Sequence, residues 1–417
     1  MFENYAIAVN NGTIVDLLPA DIALAKYDAI ETYRLDKHTL IPGLINTHTH
    51  TAMSLFRGIA DDLPLMDWLN NHIWPAEQLW VSLEFVEDGA HLTIAEMIRS
   101  GTTCFNDMYF YPDHTAEVAS EIGIRAMVGL FVLDFPTSWA QEPQEYFEKG
   151  EHVHDRFKHS PLIQTAFAPH APYTVSNGPL EKIVTLSEEL DLQIHMHVHE
   201  TEDEINQSNE QHGKRPFERL NEIGVLSNRL MAVHMTQIDQ EDIELITKYK
   251  LNVIHCPESN LKLASGFCPS NELLNSDVNV ALGTDGSASN NDLDMIGEMR
   301  TATLLGKGIA RDSSALAART ALRMATLNGA RALNIDLMTG SLVKGKEADI
   351  VAINLSELET QPLYDPVSQI VYATTRNQVT DVWVAGKQLL KNRELTTINE
   401  ERTKQKAKYW QEKIMKV

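Results

Sequence analysis

The sequence predicts an α/β protein in which a (β/α)8 TIM-type barrel carries a small β-sandwich domain built from both ends of the chain. The central part of the sequence alternates short apolar runs with segments of helical periodicity. Eight such runs lie within residues 41–339, which suits an eight-stranded barrel. The two chain ends are instead rich in strand and turn signals, so both are assigned to the small domain.

The barrel prediction depends on where the apolar runs end and on the helices between them. The eight predicted strands end near Asn46, Asp107, Phe131, Pro169, His197, His234, His255 and Asp285. Helical periodicity is clear over residues 85–100, 180–190 and 240–249, and residues 316–332 are predicted to form a helix that closes the ring. A doubly wound sheet is the alternative fold, but no GxGxxG follows any predicted strand, so its commonest cofactor signal is missing.

The small domain is predicted over residues 1–40 and 340–417, with the barrel over residues 41–339. Its first feature is a hairpin within residues 5–18, where Asn-Asn-Gly joins two apolar runs. The other predicted strands of this domain lie in residues 30–35, 344–353 and 381–389. Strands from both chain ends are therefore expected to meet beside the central insert.

The composition excludes several classes of partner. The chain has 35 Lys and Arg residues against 58 Asp and Glu residues, a net charge of −23, which argues against nucleic acid or an anionic membrane as a partner. The three cysteines form no CxxC pair, so a disulfide framework is not expected, and a reducing cytoplasm is the natural compartment. No leader and no run of membrane-spanning length is evident.

The first predicted strand ends in a pair of histidines, His48 and His50. Residues two apart in an extended chain face the same side, so both imidazoles are directed to one point. Two imidazoles at the end of a buried strand suit a divalent transition metal. An HxH motif alone also occurs by chance in surface loops. Whether His48 and His50 form a metal site or are two surface histidines therefore depends on the other motifs of the chain.

Other predicted strands place polar residues at the same end of the barrel, where active sites of this fold are built. They are His170 after the fourth strand, His195, His197 and His199 on one face of the fifth, His234 on the sixth and Asp285 on the eighth. Each has an ordinary explanation alone, since a lone strand histidine is usually a hydrogen-bonded core or rim residue. Their coincidence indicates a site. His195 and His255 are expected to be structural or to support a ligand.

Four motifs in fixed order, PGLINTHTH, HxHET, HCPESNLKLASG and LGTDGSASNN, extend this pattern over nearly the whole chain. Together they resemble the metal-dependent amidohydrolase superfamily, and more narrowly its 5-methylthioadenosine/S-adenosylhomocysteine deaminases. Chlorohydrolases and guanine deaminases resemble the pattern more distantly. The resemblance implies a metal-dependent barrel enzyme that hydrolyses a C–N bond of a small molecule.

The resemblance also implies a role for each site residue. It implies four metal ligands: His48, His50, His197 and Asp285. It implies acid/base chemistry for Glu200, three residues after His197, and it places His234 beside the attacking water. The predicted catalytic residues are therefore Glu200, His234 and Asp285.

The predicted cofactor is one divalent metal ion, with Zn²⁺ as the default for three histidines and a carboxylate beside an open coordination position. Relatives with two ions need a bridging carboxylated lysine or a glutamate near the middle strands. No lysine lies between Gln164 and Glu181, which favours one ion. As a hypothesis, Asp285 takes a proton from the activated water, while Glu200 protonates the purine nitrogen next to the reacting carbon and ammonia leaves.

The resemblance implies a nucleoside substrate. In the resembling deaminases a glutamate of a Pro-x-Glu element binds the ribose hydroxyls, and Glu77 matches it, although a helix-face charge is the alternative. His170, Glu200 and Asp285 are the other predicted substrate contacts. The arginines that some members carry before the fourth strand are not evident, and Trp139 stands there as a candidate wall for the 5′ substituent. The preference between methylthioadenosine and S-adenosylhomocysteine stays open.

The predicted function is zinc-dependent hydrolytic deamination of adenosine-type nucleosides, 5′-methylthioadenosine and/or S-adenosylhomocysteine, to the inosine product and ammonia. A guanine or pterin deaminase, or an aminotriazine chlorohydrolase, is the alternative enzyme. Glu200 argues against chlorohydrolases that lack this residue, and Glu77 argues against free-base specialists. A non-catalytic metal-binding barrel is a different class, which the presence of both Glu200 and Asp285 opposes.

The predicted enzyme is a cytoplasmic homo-oligomer with a small-molecule substrate and no nucleic-acid or membrane partner. Members of the resembling family usually have an extra strand before the Asn-Asn-Gly hairpin, whereas only Met1 to Asn4 precede it here. Catalysis is not expected to depend on that strand.

Overall fold

A computed structural model of the protein describes residues 2–416. Its centre is a sheet of eight strands that follow the order of the chain, surrounded by helices, and this is the predicted (β/α)8 barrel. An antiparallel sheet of five strands and a two-stranded hairpin form the small domain. Among the described residues, no helix is both long and apolar enough to cross a membrane. Cys104, Cys256 and Cys268 are buried and unpaired.

The strands of the described chain are β1 (Tyr5–Asn10), β2 (Thr13–Pro19), β3 (His38–Pro42), β4 (Leu44–Thr49), β5 (Thr102–Asp107), β6 (Arg125–Val132), β7 (Ile163–Pro169), β8 (Ile194–Val198), β9 (Leu230–His234), β10 (Asn252–His255), β11 (Asn279–Leu282), β12 (Ile350–Asn354), β13 (Val379–Val384), β14 (Lys387–Lys391) and β15 (Glu394–Leu395). The barrel consists of β4 to β11, and the small sheet has the order β15-β14-β13-β12-β3.

The α-helices are α1 (Ala20–Lys26), α2 (Leu65–Trp68), α3 (Trp74–Trp80), α4 (Leu83–Arg99), α5 (Pro112–Ile122), α6 (Pro143–Phe157), α7 (Asn177–Leu190), α8 (Glu202–His212), α9 (Pro216–Glu222), α10 (Gln240–Tyr249), α11 (Pro257–Lys262), α12 (Ser270–Asn275), α13 (Ser287–Asn290), α14 (Met295–Ala310), α15 (Ala318–Met324), α16 (Leu327–Ala332), α17 (Pro366–Tyr372) and α18 (Glu400–Ile414). The predicted helices 85–100, 180–190 and 240–249 are confirmed as α4, α7 and α10.

The first and last strands of the barrel meet through side chains as well as backbone. The Asn46 side chain accepts a hydrogen bond from the Thr284 backbone N–H (3.0 Å) and donates one to its Oγ1 (2.7 Å). The Thr47 hydroxyl donates to a carbonyl of β11 (2.8 Å), and the Asp285 N–H donates to the His48 carbonyl (3.0 Å). These contacts close the ring and bring the ends of β4 and β11 together.

The apolar run 40–46, predicted as one buried strand, is divided between two strands of different domains. β3 ends at Pro42 and pairs with β12 of the small sheet, whereas β4 begins at Leu44 and pairs with β5 of the barrel. Gly43 lies between them because a side chain there would overlap the side chain of Thr103. The chain therefore passes from one domain to the other within a single residue.

Two other predicted elements differ from the structure. Residues 30–35, predicted as a strand, are irregular and pair with no strand of the described chain; Ile30 is fully exposed, and only Leu35 and Tyr33 pack on the apolar cluster of the small domain. Residues 316–332, predicted as one helix, form α15 and α16 with a break at Ala325. The Ala325 carbonyl accepts a hydrogen bond from the Ile45 N–H of β4 (2.8 Å), which ties the end of α15 to the barrel.

The hairpin β1–β2 packs on the five-stranded sheet and completes the predicted β-sandwich. Ile14 exchanges backbone hydrogen bonds with Gly345 and Lys346 (both 2.8 Å), so that segment connects the two layers. The strand predicted over residues 344–353 consequently begins only at Ile350. The layers enclose an apolar cluster of Ile14, Ala348, Ile350, Ala352 and Trp383.

The C-terminal helix α18 packs on the barrel helix α4. The buried Trp410 ring contacts Phe85, with ring centroids 5.1 Å apart, and its indole N–H donates to Asp88 (2.9 Å). The predicted domain ranges stay predictions. Their outermost residues, Met1 and Val417, lie outside the described part of the chain.

A buried ion pair joins the barrel to the small domain. Arg125, at the start of β6, is 3% exposed and donates to both carboxylate oxygens of Asp349 (3.1 and 3.2 Å), next to β12. The same carboxylate accepts from the Thr339 hydroxyl (2.8 Å) and the Ala385 N–H (2.7 Å). A buried carboxylate is tolerated when its charge is paired and its oxygens accept hydrogen bonds, and Asp349 meets both conditions.

We expect Asp349→Ala to lower the free energy of unfolding by about 3–5 kcal/mol, because the Arg125 guanidinium then stays buried without its main partner. Urea denaturation followed by circular dichroism measures this change. Glu401→Ala breaks an exposed pair with Lys404 (3.1 Å) and is the control, with an expected change below about 1 kcal/mol. Equal losses in the two variants would contradict the prediction.

Candidate active site

The ends of β4, β8 and β11 bring four metal-ligand side chains together. This ligand group consists of His48 in β4, His50 directly after β4, His197 in β8 and Asp285 after β11. One ligand atom of each lies within 4.8 Å of all the others. Asp285 Oδ1 is 3.2 Å from Nε2 of both His48 and His50. The Nε2 atoms of His48 and His197 are also 3.2 Å apart.

These separations fit a divalent metal ion. Tetrahedral zinc with Zn–N bonds of about 2.0–2.1 Å places its ligand atoms about 3.3 Å apart. The three measured separations of 3.2 Å agree with that geometry. Three imidazoles and one carboxylate are also the donor types that zinc and similar ions take. The four residues therefore suit one divalent ion.

The imidazoles direct Nε2 into the site because their Nδ1 atoms have other partners. His50 Nδ1–H donates to the Met108 carbonyl (2.6 Å), and His197 Nδ1–H donates to a carbonyl after β7 (2.8 Å). His48 Nδ1 lies 2.9 Å from Nε2 of His195. His195 thus lies behind His48, outside the ligand group. Such partners fix the tautomer and the ring orientation of a metal-binding histidine.

The two oxygens of Asp285 have different environments. Oδ2 accepts hydrogen bonds from the hydroxyls of Ser259 (2.6 Å) and Ser289 (2.9 Å), whereas Oδ1 faces the imidazoles. Burial opposes ionisation, but hydrogen bonds from His48 and His50 hold the pKa of Asp285 well below its usual range. The sequence interpretation missed both serines, although each follows a predicted strand in the motifs HCPESN and TDGSASN.

Glu200 follows β8 and lies outside the ligand group. Its side chain is buried and accepts a hydrogen bond from the Ser265 hydroxyl at 3.4 Å. Burial raises the pKa of Glu200 to about 7, although His234, with Nε2 3.7 Å away, opposes this rise. A carboxyl group with such a pKa exists in both protonation states near neutral pH and can donate or accept a proton.

His234 ends β9 in a left-handed backbone conformation (φ 76°) that turns its ring toward the ligand group. Its Nδ1–H donates to Asn260 Oδ1 (2.8 Å), so Nε2 carries the free electron pair. The ring stacks on His197 with centroids 5.3 Å apart. Asn260 is a further residue that the sequence interpretation missed, and it lies in the same HCPESN motif as Ser259.

These residues open onto one cavity of about 600 Å³. The titratable side chains that line it are His50, Glu77, Tyr109, His170, Tyr173, His197, Glu200, His234 and Asp285. Its aromatic walls come from Trp68, Trp74, Phe110, Phe131 and Phe135. The volume and the mixture of aromatic walls with a few polar groups are typical of a small-molecule site.

Glu77 and His170, two of the predicted substrate contacts outside the ligand group, both line this cavity. Glu77 lies in the first turn of α3 and is half-buried. Desolvation raises its pKa to about 7, while nearby Tyr109 opposes the rise. The structure therefore brings Glu77, Glu200 and the ligand group to one cavity.

Trp139 is placed differently from the prediction. It is buried, its ring packs on Tyr146 with centroids 5.6 Å apart, and it is not among the described residues that line the cavity. Phe135 and Trp74 line the cavity instead, with their rings 6.3 Å apart. The segment is irregular, so no strand or helix periodicity indicated which of its aromatic residues faces inward.

The shared face predicted for the histidines of β8 extends only to His197. His199 follows the strand with φ 54° and stacks on Phe217, with centroids 4.7 Å apart, away from the metal group. A left-handed residue ends the alternation on which the prediction depended. His255, predicted to be structural, is buried and lies outside the cavity lining.

Residues 39–389 match the amidohydrolase family. The chain belongs to this family. Over 414 residues this amidohydrolase is 50% identical to the 5-methylthioadenosine/S-adenosylhomocysteine deaminase of Saccharophagus degradans, a match that covers 99% of the chain and 93% of the relative. The resemblance predicted from the four motifs is therefore confirmed.

Two further proteins are similar. The 5′-deoxyadenosine deaminase of Methanothermobacter thermautotrophicus is 45% identical over 366 residues, which cover 87% of this chain and 84% of that relative. The crystal structure of an adenosine deaminase from Xanthomonas campestris with bound zinc is 50% identical, with a TM-score of 0.99 over 100% of this chain and 95% of that one.

We predict that His197→Ala or Asp285→Ala in this amidohydrolase loses most of the bound metal. Glu200→Gln is expected to keep the metal and to lose turnover by about 10²–10⁴-fold, because Glu200 lies outside the ligand group and an amide is no proton donor of comparable acidity. Metal analysis of the purified variants and steady-state kinetics measure the two effects. The control is Glu202→Gln on the exposed side of the same segment. Equal metal content in all four variants would refute the division of roles.

Proposed function

We propose that this amidohydrolase deaminates adenosine-type nucleosides, such as 5′-methylthioadenosine, to the inosine product and ammonia, with one Zn²⁺ ion as cofactor. The observation that supports this most directly is that three of the four ligands (His50, His197 and Asp285) line the same cavity as Glu200 and Glu77. Three similar proteins are named for deamination of adenosine or of its 5′-modified derivatives. Cytoplasmic location and homo-oligomeric assembly stay predictions from the sequence.

Glu200 is suited to proton transfer at the purine ring. A divalent ion held by the three histidines and Asp285 supplies a Lewis acid that makes hydroxide available near neutral pH. Since the pKa of Glu200 is about 7, a large fraction of this carboxyl group is neutral under such conditions. The neutral form donates its proton to the ring nitrogen beside the carbon that carries the amino group, which makes that carbon more electrophilic.

Asp285 and His234 are suited to handle the proton of the attacking water. Asn260 engages His234 Nδ1 and leaves Nε2 as the ring nitrogen that can contact the water, while Asp285 Oδ1 is not engaged by the two serines. A C–O bond forms at the amino-bearing carbon, and the water proton passes to Asp285. The amino group receives that proton and leaves as ammonia when the C–N bond breaks. The new hydroxyl group becomes the carbonyl of the inosine product by giving its remaining proton to Glu200, which restores the neutral carboxyl group for the next cycle.

The cavity also suggests which nucleosides are accepted. The Glu77 carboxylate is able to accept hydrogen bonds from both vicinal ribose hydroxyls, which favours a nucleoside over a free base. Among the described residues that line the cavity, none is lysine or arginine, and Trp74 and Phe135 provide apolar surface. A carboxylate on the 5′ substituent has no cationic partner there, so we propose a preference for uncharged 5′ substituents.

We expect kcat/KM for 5′-methylthioadenosine to exceed that for S-adenosylhomocysteine by more than about tenfold, which corresponds to the 1–3 kcal/mol of an unpaired polar group. The 5′-butylthio analogue is the matched control, since it is long but uncharged, and it should stay within a few-fold of the methylthio compound. Ammonia release measures all three, beside guanine and a chlorotriazine. Absence of nucleoside turnover would refute the proposed function, whereas equal rates with S-adenosylhomocysteine would refute only the charge argument.

Glu77→Gln is expected to impair 5′-methylthioadenosine much more than its 2′,3′-dideoxy analogue. The wild type should prefer the hydroxylated substrate by about tenfold or more, because a buried carboxylate left without its partner costs about 1–3 kcal/mol. The variant should lose most of that preference and keep its metal. The ratio of kcat/KM for the two nucleosides is the measurement, and an unchanged ratio would show that Glu77 does not bind the ribose.

A further inference from the structure

Glu298 is a fully buried carboxyl group behind the site, in the first turn of α14. Its Oε1 accepts a hydrogen bond from the Asn290 side-chain amide (2.6 Å). Its Oε2 accepts one from the Glu258 backbone N–H (3.3 Å). One side chain thus contacts both α11, which carries Glu258, and α13, which ends at Asn290.

Both partners of Glu298 are sequence neighbours of the serines that bind Asp285. Glu258 precedes Ser259, and Asn290 follows Ser289. The two serine hydroxyls donate to the same oxygen, Oδ2, of Asp285 (2.6 and 2.9 Å). Glu298 therefore contacts the sequence neighbour of each serine that orients the Asp285 carboxylate.

Asn290 makes a second contact that leads to the same aspartate. Its side-chain amide donates both to Glu298 and to the carbonyl of Thr284 (2.8 Å), the residue before Asp285. One amide thus contacts the backbone beside Asp285 and belongs to the residue next to Ser289, and Glu298 is an acceptor that holds this amide. Losing Asn290 would remove one contact from each.

We propose that Glu298 is a positioning residue for Asp285. By holding α11 and α13 at a fixed separation, it keeps both serines on Oδ2 and leaves Oδ1 directed at His48 and His50. This inference rests on the proposed role of Asp285 as a metal ligand. Partners that orient a ligand in this way typically change metal affinity or activity by about 10–100-fold when they are lost.

The test compares three variants of the full chain by competition for Zn²⁺ with a chromogenic chelator. Glu298→Leu removes both acceptors and should raise the zinc Kd by about 10–100-fold, with kcat reduced and KM little changed. Glu298→Gln keeps an acceptor for Asn290 and should fall between this variant and the wild type. Thr303→Val is the matched control on α14, because the buried Thr303 hydroxyl donates only to the Met299 carbonyl of its own helix (2.6 Å).

The control separates positioning from general stability. Thr303→Val is expected to lower Tm without changing the zinc Kd. If Glu298→Leu lowers Tm to the same extent and also leaves the zinc Kd unchanged, Glu298 only stabilises the fold and the proposal is wrong. Zinc affinity is measured without substrate, so this result is independent of whether the proposed nucleosides are turned over.

A second experiment applies if Glu298→Leu does not fold. Asn290→Ala is introduced into the wild type and into the Ser259→Ala/Ser289→Ala variant, which already lacks both serine hydroxyls. If Glu298 and Asn290 act through these serines, Asn290→Ala should raise the zinc Kd by about tenfold in the wild type and less than about twofold in the second background. The same change in both backgrounds would overturn the proposal.

Discussion

The site depends on the contact between the first and last strands of the barrel. Asn46 and Thr47 of β4 bind the end of β11 with their side chains, and the Asp285 N–H donates to the His48 carbonyl (3.0 Å). This backbone contact holds Asp285 beside the two histidines of β4. Ligand atoms 3.2 Å apart tolerate little displacement. The register of β4 against β11 therefore determines whether the four ligands can bind one metal ion. The other residues of the site are arranged around ligands whose positions depend on this contact between β4 and β11.

Two carboxyl groups of the same site differ because they have different hydrogen-bond donors. Burial opposes ionisation of Asp285, but hydrogen bonds and charge interactions with His48 and His50 outweigh it, so its pKa lies well below the usual range. Glu200 is equally buried but has one hydroxyl at 3.4 Å, so desolvation dominates and its pKa rises to about 7. One group is held ionised and the other is able to carry a proton, which is the separation that acid/base chemistry needs.

The sequence was sufficient for the barrel and for the residues that converge in it, because strand alternation and the order of the motifs are local signals. His48 and His50 lie together as alternation predicts, and His197 and Asp285 join them as the family resemblance implies. The predictions were wrong where a neighbour in space decides the outcome. His199 turns away through a left-handed residue, and Trp139 faces Tyr146 rather than the cavity.

The sequence did not predict the hydrogen-bond partners of the site residues, although these partners lie in motifs that carry the family resemblance. Ser259, Asn260 and Ser289 stand in HCPESN and TDGSASN, yet nothing in the order of those letters shows which side chain each of them contacts. The same holds for Gly43: an apolar run continues through it, and only the packing of Thr103 shows that two strands of different domains meet there.

The crossing at Gly43 keeps the small domain attached to the side of the barrel that carries β4. Gly43 alone separates β3 of the small sheet from β4 of the barrel, and the buried pair of Arg125 and Asp349 also joins the two domains. Among the described residues that line the cavity, none belongs to the small sheet or to the hairpin β1–β2, so a displacement of the small domain would leave the lining intact. Phe135 is an exposed apolar residue of that lining, and the approach to the cavity there is formed by a barrel loop alone.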